Sequence, residues 1–222
     1  MIKSFYLTIR ERGVFVAFNA VINIFILIIE RDILKKDLVK RKIFNYKMWL
    51  DTRDRGLCRS LILFKSREMD HKILLEKILH SGMNVLDIGA NIGYYALMEL
   101  KLIGDSGKLI AIEPSPYNVN LLRKNLRLNN CNSVSVVNGA VSDKSEKKDF
   151  FLAEMGNLNT FHATGSGRQH LNGEVIEVDT YTVPELISNK KLDLIRMDVE
   201  GHEVEVLNGM LEKVRSGDLN PV

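Results

Sequence analysis

The chain has 222 residues, 45% hydrophobic and 27% charged, enough for one α/β core with an appendage and too short for two full enzymatic domains. A formal charge of +3 demands no acidic partner, so nucleic acid is not implied. The two cysteines, Cys58 and Cys131, match no metal-ligand spacing and make no disulfide framework, which points to a reducing, cytosolic compartment.

Residues 14–29 are apolar except for Asn19 and Asn23, with Lys3, Arg10 and Arg12 upstream and "KRK" at 40–42 downstream. The run is just short of the roughly 17–25 residues of a spanning helix. Arg12, Asn19, Asn23 and Glu30 share one helical face, a narrow polar stripe on an otherwise greasy helix. Two readings stay open: a helix packed on its own domain or a partner subunit, or one lying on or crossing a membrane. In the second, the heavier downstream positive charge keeps the remainder in the cytoplasm, at the inner face of the membrane. No small-residue cleavage site follows, which disfavours a signal peptide. The chain divides near residue 45 into a helical leader, 1–45, and one α/β domain, 46–222.

Within that domain Ile73, Leu74, Ile78 and Leu79 have helical spacing, closed by Ser81-Gly82. A strand is expected over 84–88, then a loop at 89–93 and a helix from Tyr94 that stops at Gly104. A second strand over 108–112 runs into "EPSP", where Ser115 is an N-cap and Pro116 the first helical residue. This helix reaches Asn129-Asn130. Residues 133–137 and 192–197 read as third and fourth strands, and the alternation predicts a doubly wound, mostly parallel sheet. Between them, 149–153 and 174–179 read as strands of a hairpin-like insertion around a glycine- and asparagine-rich stretch, 157–170, a place for binding residues or a plain surface loop.

The loop after the first strand is Asp87-x-Gly89-x-x-x-Gly93. A dinucleotide fingerprint needs a glycine where Asn91 stands, and an anion beside a phosphate turn is unhelpful. A cationic ligand fits better, and S-adenosylmethionine carries a sulfonium and an ammonium. Glu113, about 20 residues on, is set to accept both ribose hydroxyls. After the fourth strand, "MDVEGHEVE" crowds Asp198, Glu200, His202 and Glu203 at the carboxyl end of the sheet, a group able to hold a hydroxyl substrate and take its proton. No separate ligand pattern supports a metal among them.

"VLDIGANIGYYAL", "IAIEPSPYNVNLLRKNLRLNN", "VVNGAVSD", "VEVDTYT" and "IRMDVEGHEVEVLNGM" resemble the successive motifs of the FkbM family of S-adenosylmethionine-dependent methyltransferases, from about residue 46 to the end. The resemblance implies the class I methyltransferase (Rossmann-like) fold and methylation of a hydroxyl on a sugar, glycan or other hydroxylated metabolite. It places the methionine moiety against Asp87, Gly89, Asn91 and Gly93, the ribose on Glu113, and adenine near Pro114, Asn138, Gly139 and Ala140. Asp198 or His202 is the expected base, with Glu200 and Glu203 orienting the acceptor. Against the family pattern the chain stops about where a fifth strand begins, so an uncovered fourth strand is expected, with Leu192, Leu194 and Ile195 poorly protected. The competing readings are a truncated, membrane-associated cofactor-binding module without catalysis and a nicotinamide-dependent oxidoreductase. A nucleic-acid methyltransferase is disfavoured, since there is no "NPPY"-type tetrapeptide, no catalytic cysteine pair and no interleaving of basic and aromatic residues.

Overall fold

The computed structural model of the protein describes residues 10, 13–153, 158–162, 171–188 and 191–221. Lys3, Arg12 and all but residues 158–162 of the 157–170 stretch lie outside them. The chain forms two compact units, Met1–Met69 and Asp70–Val222.

In the first unit, α1 (Val14–Ile28) runs into a π-helical turn, Ile29–Ile33. Together they make an apolar helix of 20 residues, long enough by length and composition to cross a membrane. Its narrow side faces inward: Ala17, Ala20 and Leu27 are buried, Asn23 Nδ2 donates to the Leu63 carbonyl at 2.8 Å, and Glu30 pairs with Arg41. Small and polar residues let the backbone come close to its neighbours. The wide side carries Phe15, 82% exposed, with Phe18, Ile22 and Phe25 also exposed.

The leader does not stay helical to residue 45. β1 (Leu38–Ile43) and β2 (Tyr46–Asp51) form an antiparallel hairpin, Leu38 opposite Asp51 and Ile43 opposite Tyr46, so the expected boundary falls in its two-residue turn. The basic run hides a period of two: Val39 and Ile43 are buried while Lys40 and Lys42 point out, and Lys40 Nζ sits 5.2 Å from the centre of the Trp49 ring. α2 (Leu57–Phe64) buries Leu57, Cys58, Leu61, Ile62 and Leu63, packing on α1 and β2.

The second unit opens with α3 (Met69–Ile78) and β3 (Asn84–Ile88). Then come α4 (Tyr94–Ile103), β4 (Lys108–Glu113), α5 (Pro116–Leu128) and β5 (Val134–Asn138). β6 (Ala140–Val141), β7 (Lys147–Ala153), β8 (Leu171–Tyr181), α6 (Val183–Ile187), β9 (Leu194–Met197) and α7 (Glu203–Arg215) complete it. The main sheet has the order β5-β4-β3-β9, all parallel, and the helices between its strands make it the doubly wound class expected. The insertion is the β7–β8 antiparallel pair, with β6 added parallel to β8.

Local signals position these boundaries. Gly104 ends α4 at φ 64°, a conformation other residues adopt at a cost. Ser115 caps α5, its side chain accepting from the Asn118 amide, with Pro116 first in the helix. Leu86, Ile88 and Ile112 meet Val183, Leu192, Val206 and Met210 in one core. Leu192 and Leu194 are buried and Ile195 is half-buried. They are better protected than an uncovered strand implies, because Leu192 shares its core with residues of α6 and α7.

Candidate active site

Parallel pairing brings the carboxyl ends of β3, β4, β5 and β9 to one edge. The 89–93 loop, Glu113, Asn138 and Asp198 follow directly from those strand ends, where open α/β sheets bind ligands.

The loop turns through Gly89 at φ 80°, Asn91 at φ 50° and Gly93 at φ 90°. A Cβ at Gly89 would stand 2.1 Å from the backbone oxygen of Asp198, and one at Gly93 would meet Leu122 Cδ1 at 2.6 Å. Gly93 thus makes room for α5 packing, where a ligand was the expected neighbour. All five amides of the loop are spent inside the fold. Gly89 and Ala90 donate to the Ile112 carbonyl at 2.9 and 3.0 Å, and Gly93 to Ala90 at 2.9 Å. Asn91 donates to Glu113 Oε2 at 3.0 Å, and Ile92 to Asn91 Oδ1 at 2.8 Å. No amide of this turn is left for a phosphate.

Asp87 is fully buried, and Oδ1 accepts from Arg196 Nη1 at 2.7 Å. The register puts Arg196 directly beside Asp87, and its other arm donates to Asp198 at 3.1 Å. The guanidinium carbon lies 3.8 Å from the centre of the Tyr95 ring, whose hydroxyl is 3.0 Å from His71 Nδ1. Burial pushes the Asp87 carboxyl up, and the guanidinium opposes it. Burial acts against the charge of Arg196 too, but Asp87, Glu99 and Asp198 outweigh it and hold its pKa above the usual range. Glu99, on the inner face of α4, is buried, and neither carboxyl oxygen finds a hydrogen bond among the described residues. Burial and the nearby Asp87 raise its pKa well above the ordinary carboxylate value.

Sequence reasoning found Asp87 and Asp198 but missed Arg196 and Glu99. A basic residue two positions before Asp198, inside an apolar strand, was the available signal for the first. For the second it was the four-residue spacing of Tyr95, Glu99 and Ile103 along one helical face.

Glu113 is 5% exposed. Oε1 accepts from the Ser115 amide at 3.0 Å and Asn118 Nδ2 at 3.1 Å, and Oε2 from Asn91. Three of about four acceptor positions are filled by the protein. Glu113 therefore braces the loop first, with one lone pair left where a two-handed grip on ribose was expected. Burial pushes its pKa up to about 7 against those three donors.

Asn138 Nδ2 bridges the carbonyls of Glu113 and Pro114 at 3.1 and 3.0 Å. Gly139 donates to the Glu113 carbonyl at 3.1 Å, and a Cβ there would meet the Asp179 carbonyl oxygen at 2.7 Å. Ala140 is buried. The group named for adenine thus closes the rim beyond Glu113.

The four acids and bases after β9 separate. The Asp198 side chain is 56% exposed. Glu200 and Glu203 are exposed, the Glu200 carbonyl accepting from Thr160 Oγ1 at 3.0 Å and Glu203 Oε1 from the Gly201 amide at 3.3 Å. His202 is 3% exposed and packs against Phe161 of the insertion, ring centres 4.5 Å apart. Only Asp198 joins the Asp87–Arg196 group.

The chain resembles parts of several known proteins. It is 36% identical over 88 residues to ribosomal RNA large subunit methyltransferase E of Buchnera aphidicola subsp. Cinara cedri, covering 36% of this chain and 41% of that protein. It is 40% identical over 68 residues to protein-L-isoaspartate O-methyltransferase of Methanococcus vannielii, covering 30% and 32%. The matched segments span less than half the length of either relative. The crystal structure of methyltransferase FkbM from Methylobacillus flagellatus KT aligns over 73% of this chain and 40% of its own, at 14% identity and a TM-score of 0.44. The methyltransferase FkbM domain matches residues 87–220, from the buried aspartate of β3 to beyond α7. That stretch is more than half of the sequence and holds every candidate residue described above, and on it the chain belongs to the FkbM family of S-adenosylmethionine-dependent methyltransferases.

Proposed function

We propose that this chain methylates a hydroxyl oxygen of a sugar, glycan or other hydroxylated metabolite, with S-adenosylmethionine as donor. One observation carries the reading: a glycine turn whose five amides are all internally bonded stands beside a group of acids. Asp87 and Asp198 against the single Arg196 leave that group net negative, which suits a cation and repels a pyrophosphate. Oδ2 of Asp87, buried and without a hydrogen-bond partner among the described residues, fits the same ligand. Asp87 has no exposed surface, so its contribution is charge, while the rim from Glu113 to Asn138 bounds the nucleoside end.

The cofactor supplies an electrophilic methyl on a positively charged sulfur. The chain's residues must hold the acceptor oxygen in line with it and remove the hydroxyl proton. Exposure favours Asp198 over the buried His202 as that base, and Glu200 and Glu203 line the acceptor side.

The test joins a thermal-shift screen to methyl-transfer assays. S-adenosylmethionine at 100 times its dissociation constant is expected to stabilise the fold by about 2.7 kcal/mol and NAD not at all. Label should pass to hydroxylated sugars, and Asp198→Asn should lower turnover about 100-fold when measured at saturating cofactor. Equal shifts by both nucleotides would sink the cofactor assignment. Transfer to ribosomal RNA or protein alone would sink the acceptor class.

We further propose that the outer face of α1 lies on the cytoplasmic surface of a membrane. Support comes from the aromatic side of the helix, with Phe15, Phe18 and Phe25 exposed, and from the basic hairpin that follows. The full chain should sediment with anionic vesicles, and the triple variant Phe15→Ser, Phe18→Ser, Phe25→Ser should not. A soluble dimer without vesicle binding would assign the face to a second copy instead.

A further inference from the structure

The two ring nitrogens of the buried His202 have different surroundings. Nε2 lies 3.0 Å from Ser142 Oγ. That hydroxyl also donates to Asp143 Oδ1 at 3.1 Å and accepts from Lys148 Nζ at 3.0 Å. A hydroxyl has one proton and a carboxylate can only accept, so Ser142 can only accept from the imidazole. The ring proton therefore sits on Nε2, and Nδ1 carries a lone pair.

What faces Nδ1 is a second acceptor. It makes no hydrogen bond among the described residues, and Glu205 Oε2 stands 3.6 Å away. The His162 ring lies beside them, its centre 5.7 Å from that of His202. One ligand atom from each of the three residues lies within 4.8 Å of the other two. Two lone pairs opposed across a 3.6 Å gap repel unless positive charge or a donor lies between them. A shared proton would draw the atoms to about 2.7–3.2 Å. Two ligands of one tetrahedral zinc, with bonds of about 2.0–2.1 Å, stand about 3.4 Å apart.

We propose that His162, His202 and Glu205 bind one divalent transition-metal ion, zinc being the best fit, with a water completing the coordination. Two imidazoles and a carboxylate suit zinc over calcium or magnesium, which prefer all-oxygen sites. Ser142 is the outer partner that fixes the tautomer and orients the ring. The ion ties residues 158–162 to the start of α7. Thr160 already bonds to Glu200 there, so the ligands lie on two elements that the fold has brought together.

The experiment is a calorimetric zinc titration of the untagged, chelator-stripped full chain. One equivalent should bind at micromolar affinity or better. His162→Gln and Glu205→Gln, both on partly exposed residues, should each weaken it at least 100-fold, and Ser142→Ala about 10-fold. Cobalt at the same site should give the intense visible bands of a tetrahedral ion ligated by nitrogen and oxygen. The proposal is overturned if the wild-type chain binds no zinc, or if the His162→Gln/Glu205→Gln double variant binds as tightly as the wild type. It is also overturned if cobalt shows a sulfur charge-transfer band, which would move the ion to Cys58 or Cys131. None of these readouts depends on methyl transfer.

Discussion

Replacing Arg196 with methionine is expected to lower the free energy of unfolding by about 3–5 kcal/mol, the usual cost of leaving one charge of a buried pair alone. Asp87 has no exposed surface, and the 2.7 Å bond from Arg196 is what Oδ1 has in place of water. Its other oxygen has no hydrogen-bond partner among the described residues, so the variant strands a whole carboxylate. Loss of the stack on Tyr95 adds about 0.5–2 kcal/mol. The double variant Asp87→Asn/Arg196→Met removes both charges and should recover more than half of the loss. Urea titrations of the wild type, the single variant and the double variant measure this. A single variant within about 0.5 kcal/mol of wild type would mean that the pair is not dry in solution.

Stability should also fall as pH rises through the range set by Glu113. Its carboxyl is raised from an ordinary 4.5 to about 7 in the fold, so the folded chain holds the proton more tightly than the unfolded one. The stabilisation is fully present below about pH 4.5 and is lost by about pH 7, a difference of about 3 kcal/mol. Glu113→Gln has no proton to lose and should not show this loss. The measurement is the stability difference between wild type and Glu113→Gln across that window, which cancels the other titrating groups. A flat difference would show that the three donors keep the carboxylate ionised despite its burial.

Much of this fold was legible because its boundaries are written in local chemistry. Gly104 stops α4, Ser115 and Pro116 start α5, and the glycines after β3 announce a turn, each within a few residues of where it acts. The hairpin of β1 and β2 was hidden because lysine and arginine dominate its first strand, and Arg41, standing between Val39 and Ile43 on the inward side, masks the alternation. The site was half legible. Asp87, Glu113 and Asp198 end strands and could be picked out singly. The Asp87–Arg196 bond joins residues 109 apart and exists only once β3 and β9 are in register. His202 read as a candidate base within an acidic run. It is buried because Phe161 of the insertion packs on it, a contact no spacing in the sequence encodes.

The approach of the Asp198 carbonyl to Gly89 limits how this sequence can diverge. The obstructing atom belongs to the main chain, so it is the same whatever residue stands at 198, and no second substitution there can rescue a larger residue at 89. The turn after β3 and the segment that starts at Asp198 are thus locked to each other, whatever side chain stands at 198. Under the proposed methyl transfer, variation in the acceptor is left to the side chains that follow Asp198 and to those of the β7–β8 insertion.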